Sequence, residues 1–175
     1  QIRAPLTAIR GYAANILEGD YGEVPARIAG AINIISTSCK NLVVIVSEFL
    51  DISRIEQGRM KYDLVDFDVT ALVQEVINEL KPVIDKSHLS LNLEVSNYVC
   101  MAHGDVGKIK QIINNVIDNS IKYTKQGGIR ISLSTNYKNV TIKISDTGIG
   151  IAPADISNLF TKFTRAKDAF RTNVF

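Results

Sequence analysis

The sequence predicts an α+β protein, a helical hairpin followed by an α/β sandwich, and three observations carry that reading. Up to residue 60 the apolar positions recur every three or four residues, as on one face of a helix. Beyond Lys61, apolar and polar residues begin to alternate with period two. Stretches of helical period then lie between the alternating ones. With 46% hydrophobic and 22% charged residues in 175, the chain can bury a core but is short for two large domains. Residues 1–60 and 61–175 therefore read as a small appendage and one main domain.

In the first part, Ile2, Leu6, Ile9, Ala13 and Ile16 share one helix face. Pro5 lies within that run and must occupy an early turn or bend the axis, because it cannot donate to the preceding turn. The run breaks over residues 18–25, where Gly19, Gly22 and Pro25 mark a helix–helix connection. Ile28, Ile32, Ile35, Cys39, Leu42, Val46 and Phe49 then form an unbroken heptad seam, with Arg27, Lys40, Glu48, Arg54 and Glu56 off it and Gly58 as its C-terminal stop. Two helices with one apolar stripe each leave part of the seam uncovered. A homodimeric four-helix bundle would close it.

In the second part, Leu89, Leu91, Leu93 and Val95 alternate with polar residues, as do Ile129, Ile131 and Leu133, and Val140, Ile142 and Ile144; these are three strands. Helical patterns cover residues 69–86, through Leu72, Val73, Val76, Ile77 and Leu80, and residues 105–123, through Ile109, Ile112, Ile113, Val116 and Ile117. Asp105 is placed to cap the second of these helices. Helices on one face of a mixed sheet follow.

A formal charge of +2, from 20 Lys and Arg against 18 Asp and Glu, gives no basic field that would point to nucleic acid. Cys39 and Cys100 have neither CxxC spacing nor a His cluster nearby, which argues against a disulfide framework or a zinc site and for a reducing, cytoplasmic setting. The most apolar run, residues 42–46, is far below the roughly 20 residues that span a bilayer, so a membrane helix or signal peptide is not expected in this stretch. The start at Gln1 and the ending at Phe175 read as those of a piece of a longer protein.

Three short motifs can carry chemistry. Asn115 and Asn119 lie four apart on the 105–123 helix, with Lys122 and Tyr123 following. Carboxamide oxygens are hard ligands that suit Mg2+, and their N–H groups can reach phosphate oxygens, although such a pair taken alone more often marks a solvated face. Asp146-Thr147-Gly148-Ile149-Gly150 ends a strand; a carboxylate there can accept from an exocyclic amine while the glycines let backbone approach a ring, and an ordinary Asx-capped turn fits as well. Phe160 and Phe163, with Arg165, Lys167 and Arg171 behind them, make either a surface helix with a basic face or a lid whose cations meet phosphates.

Taken together, these motifs resemble those of the sensor histidine kinases of two-component systems. QIINNVIDNSIKYT (residues 111–124) is similar to their N box, DTGIG (146–150) to their G1 box and LFTKFTRAKD (159–168) to their F box, while QIRAPL (1–6) looks like the residues just after the phosphoacceptor histidine. The resemblance implies a dimeric histidine-phosphotransfer hairpin over residues 1–60 and a Bergerat-type ATP-binding domain over 61–175. It implies that Asn115 and Asn119 hold Mg2+ and phosphates, that Lys122 and Arg165 contact phosphates, and that Tyr123, Phe160 and Phe163 pack about the nucleotide. Asp146 would read the adenine amine, and Gly148 and Gly150 would shape the adenine pocket and lid hinge. The implied cofactors are ATP and Mg2+. The implied partners are a second copy of the chain and a response-regulator receiver domain, with no nucleic acid, and with a membrane only through segments upstream of Gln1.

The same resemblance places the phosphoacceptor histidine immediately before Gln1 and a second glycine box after Phe175. The chain alone is therefore expected to be inactive, since His88 and His103 read as surface or packing residues. Gln1 stands where the family usually has an acidic residue, and Ala4 where it often has Thr or Asn, so slow autophosphorylation and weak phosphatase activity are expected. A catalytically weak, nucleotide-binding signalling scaffold is the alternative from another class. A gyrase-like or chaperone-like ATPase fits the heptad hairpin less well.

Overall fold

The computed structural model describes residues 3–96, 100–136, 138–157 and 159. The chain divides between Lys61 and Tyr62 into two units.

The first unit is a hairpin of α1 (Arg3–Glu18) and α2 (Ala26–Glu56), packed along one another. Pro5 falls in the first turn of α1, where its missing N–H has no intrahelical partner to lose. Gly58, at φ +63°, ends α2: its N–H donates to Ile55 O at 3.0 Å and that of Arg59 to Arg54 O at 2.9 Å, a Schellman pair open to few residues besides glycine. The heptad seam of α2 divides in two. Ile32 and Cys39, seven apart, are buried and Val46 is half-buried, whereas Ile28, Ile35, Leu42 and Phe49 are 46–57% exposed. One heptad position thus packs within the hairpin, and the other is open.

Among the described residues α2 alone is long and apolar enough to cross a membrane by length and composition. No single apolar run reveals this, because the apolar residues are spread along the helix and interrupted by Asn33, Ser36, Thr37, Ser38, Lys40 and Asn41.

The second unit holds a mixed sheet of β2 (Ser90–Val95), β4 (Gly128–Thr135) and β5 (Val140–Asp146) in the order β2-β4-β5, parallel between β2 and β4 and antiparallel between β4 and β5. Helices α3 (Val69–Lys86) and α4 (Val106–Tyr123) pack on each other and on this sheet. Their apolar stripes meet the alternate residues Ile129, Ile131 and Leu133 of β4, and Val73, Val76, Cys100, Ile117 and Ile131 are fully enclosed. Each such side chain contributes about 1.5–3 kcal/mol of gross burial energy. Ser90, Asn92, Arg130, Lys143 and Ser145 point to the polar outer face. Both cysteines are buried free thiols.

Two strands were not expected. β1 (Val65–Asp68) and β3 (Met101–Gly104) form a separate antiparallel pair, with Phe67 opposite Ala102. Each has four residues and at most two apolar ones, too few to register a period of two. Asp68 caps α3, accepting from Thr70 N at 2.8 Å. Asp105 caps α4 as the sequence indicates, accepting from Lys108 N at 3.0 Å, and its other oxygen accepts from Asp63 N at 3.1 Å. These backbone donors, Lys108 first, hold its carboxyl below the usual carboxylate range. Lys110 ties the two helices together through Glu75 at 2.6 Å and Glu79 at 2.7 Å, which raise the pKa of its ammonium.

Candidate functional site

The site grows from the last turns of α4. That helix buries Ile113, Ile117, Ser120 and Ile121 on one flank, which leaves Asn115 and Asn119 one turn apart on its exposed side and Tyr123 half-buried. Ile112 and Val116 are exposed beside the asparagines, at 62% and 42%, and do not join the core as the helical pattern suggested. The stripe there is wider than the sheet it covers. The Lys122 ammonium turns to Asp118, one turn back, at 2.5 Å, so in the structure it serves an intrahelical ion pair and not the asparagine side.

Asp146 comes to the same place from β5. It continues the parity of Val140, Ile142 and Ile144, so its side chain lies on the helix-facing side of the sheet. There Oδ2 accepts from Ser120 Oγ at 3.2 Å, and Oδ1 accepts from Gly148 N at 2.9 Å. The following loop is fastened to the end of α4 by Ile149 N, which donates to Tyr123 O at 3.2 Å. A Cβ at Gly148 would stand 2.6 Å from Tyr123 O, 2.8 Å from Asp146 Oδ1 and 2.9 Å from Thr124 Oγ1, so the approach is open to glycine alone. Gly150, at φ +69°, supplies the next turn. On the far side, Thr147 Oγ1 accepts from Gly128 N at 3.1 Å and donates to Gln126 O at 3.3 Å, closing the loop against the start of β4.

These residues suit an adenine nucleotide. Asp146 keeps acceptor capacity beyond its two donors, and the hydroxyl of the buried Thr124 has no partner among the described residues, a polar group of the kind a bound molecule satisfies. For a divalent cation the hard donors at hand are the exposed carboxamides of Asn115 and Asn119. Among the described residues no group of three His, Cys, Asp or Glu side chains offers an alternative.

Residues 1–58 match the His Kinase A (phospho-acceptor) domain, and residues 104–174 match the histidine kinase-, DNA gyrase B- and HSP90-like ATPases. The chain carries both domains of a sensor histidine kinase. The chain is 28% identical over 174 residues to the circadian input-output histidine kinase CikA of Synechococcus elongatus, a match over 98% of this chain and 23% of that protein. The chain thus spans less than a quarter of that relative's length. Two solved structures share the fold. ShkA, full-length in complex with AMPPNP, gives a TM-score of 0.80 at 24% identity, covering 94% of this chain and 35% of that one. ThkA in complex with the response regulator protein TrrA gives 0.64 at 22% identity, covering 94% and 50%.

The structure brings Asp146, Gly148 and Tyr123 together, with Asn119 a turn away, whereas Asn115 lies a further turn up the helix. Phe160, Phe163 and Arg165 fall outside the described residues. Sequence reading missed Ser120 and Thr124. The signal for Ser120 was a hydroxyl inside an otherwise apolar flank, where an unbonded polar group is costly. A groove of about 560 Å3 on the outer face of the sheet, lined by Asn92, Arg130, Lys143 and Ser145, borders Asp146 from behind and includes neither Asn115 nor Asn119.

Proposed function

We propose that the protein to which this chain belongs is an ATP-dependent protein-histidine kinase, which phosphorylates its own histidine and passes the phosphoryl group to an aspartate of a response regulator. The observation that carries it is the meeting of Asp146 and Gly148 with the end of the asparagine-bearing α4, in a chain whose other unit matches a phospho-acceptor domain. Asp146 accepts from the adenine amine, Tyr123 packs beside the base, and Gly148 and Gly150 let the loop pass close to it. Asn115 and Asn119 hold phosphate oxygens through their N–H groups and offer carboxamide oxygens to Mg2+, which when bound neutralises phosphate charge. Lys122, released from Asp118, and Arg165 add cations to the same phosphates. Phosphoryl transfer needs little more of the protein than such positioning and charge compensation.

Two copies of the hairpin associate through the open stripe of Ile28, Ile35, Leu42 and Phe49, giving a four-helix bundle, and a receiver domain docks on that bundle. The ThkA–TrrA complex supports a regulator as partner. The compartment is the cytoplasm. The test is incubation of the full-length protein with γ-labelled ATP and Mg2+, alongside Asp146→Asn. Acid-labile, alkali-stable label that is lost in the variant is expected. Nucleotide binding without label overturns the kinase and favours the scaffold reading, to which Gln1 in place of an acidic residue lends weight.

A further inference from the structure

Ser120 is 4% exposed, on a flank of α4 otherwise made of Ile113, Ile117 and Ile121. A buried serine in a helix commonly turns its hydroxyl back to the carbonyl four residues earlier. Here it leaves its own helix and donates to Asp146 Oδ2 at 3.2 Å. The opposite oxygen, Oδ1, receives Gly148 N at 2.9 Å. A carboxylate has about four acceptor positions. One donor on each oxygen fixes the carboxylate plane against rotation and leaves one position per oxygen unused. Ser120 closes the inner, dry side, so the unused positions face the loop and solvent. Only the backbone amide would remain without Ser120, and the carboxylate could then turn about the bond that it pivots on.

We propose that Ser120 is a positioning residue for base selection. It orients Asp146 so that the carboxylate meets the exocyclic amine of an adenine, and it thereby sets how strongly the site prefers a base carrying that amine. The proposal rests on the reading of Asp146 as the group that meets the base.

The test compares binding of ATP and of purine riboside triphosphate, which has the same ring system without the amine, to the full-length protein and to Ser120→Ala. A hydrogen bond to a charged group is worth enough to predict a roughly five- to twentyfold loss of ATP affinity in the variant. Affinity for the amine-free nucleotide should stay within about twofold by the same reasoning, so that the ratio of the two collapses. Ser120→Cys, of similar size and with a weaker donor, should fall between. Equal weakening for both nucleotides would reduce Ser120 to a packing role and overturn the proposal, as would unchanged affinity for both. Asp146→Asn separates the two readings. If it leaves ATP affinity intact, the role of Asp146 fails; if it abolishes binding while Ser120→Ala matches the wild type, only the role of Ser120 fails.

Discussion

Asp105 joins two pieces of chain through one side chain, capping α4 with one oxygen and holding Asp63 N with the other. Both donors favour the ionised form, so its folded pKa lies below that of an ordinary aspartate. A group depressed in this way adds stability above its unfolded pKa, and that contribution is lost as the pH falls through the folded value. Asp105→Ala should therefore lower the thermal midpoint at neutral pH by a few degrees, and the gap should close at an acid pH below the folded value. Equal gaps at both pH values, by calorimetry, would contradict this. His88 offers the opposite case. It ends α3 at φ +55°, with His88 N donating to Asp85 O and Leu89 N to Ile84 O in the hydrogen-bond pattern that glycine serves at Gly58. His88→Gly should raise stability by about 1 kcal/mol, seen as a higher urea midpoint, because an L-residue is strained in that conformation.

At the scale of elements, the split seam of α2 makes a directional prediction. Leu42→Asp places a charge on the open heptad position, 46% exposed in the hairpin, so it should leave helicity intact and shift the protein from dimer to monomer in sedimentation. A charge at the enclosed Cys39 should instead unfold the hairpin. The long elements were legible in the sequence because each repeats its period several times: the seam of α2, the stripes of α3 and α4, and the alternation in β2, β4 and β5. β1 and β3 were not, since VDFD and MAHG are too short to show a period, and they exist through pairing with each other. The site was partly legible. Asp146 and the glycines announce a turn, and the asparagine spacing announces a face. The bond from Ser120 to Asp146 spans 26 positions and arises only when α4 lies on the sheet. The pairing of Lys122 with Asp118 was a matter of competing partners, and the nearer carboxylate won.

For the whole molecule, the departures at Gln1 and Ala4 concern rates more than fold. A carboxylate beside the attacking imidazole can draw off its proton, and a carboxamide cannot. Gln1→Glu in the full-length protein should accelerate autophosphorylation by about tenfold or more, within the range of general base catalysis, with nucleotide affinity unchanged. Ala4→Thr should raise the rate at which a phosphorylated regulator loses its phosphate. Unchanged rates in rapid-quench experiments would show that neither position limits the chemistry.

The double grip of Asp105 also bears on how the second unit yields to force. Tension applied where the chain enters at Tyr62 reaches Asp63 almost at once, and Asp63 hangs on the carboxylate that caps the helix carrying both asparagines. Pulling from that end would strip the cap from α4 before any enclosed residue met water. An early yielding point is therefore expected at the root of the helix that bears Asn115 and Asn119, and single-molecule extension from the N-terminal side should show an early yield that Asp105→Ala removes.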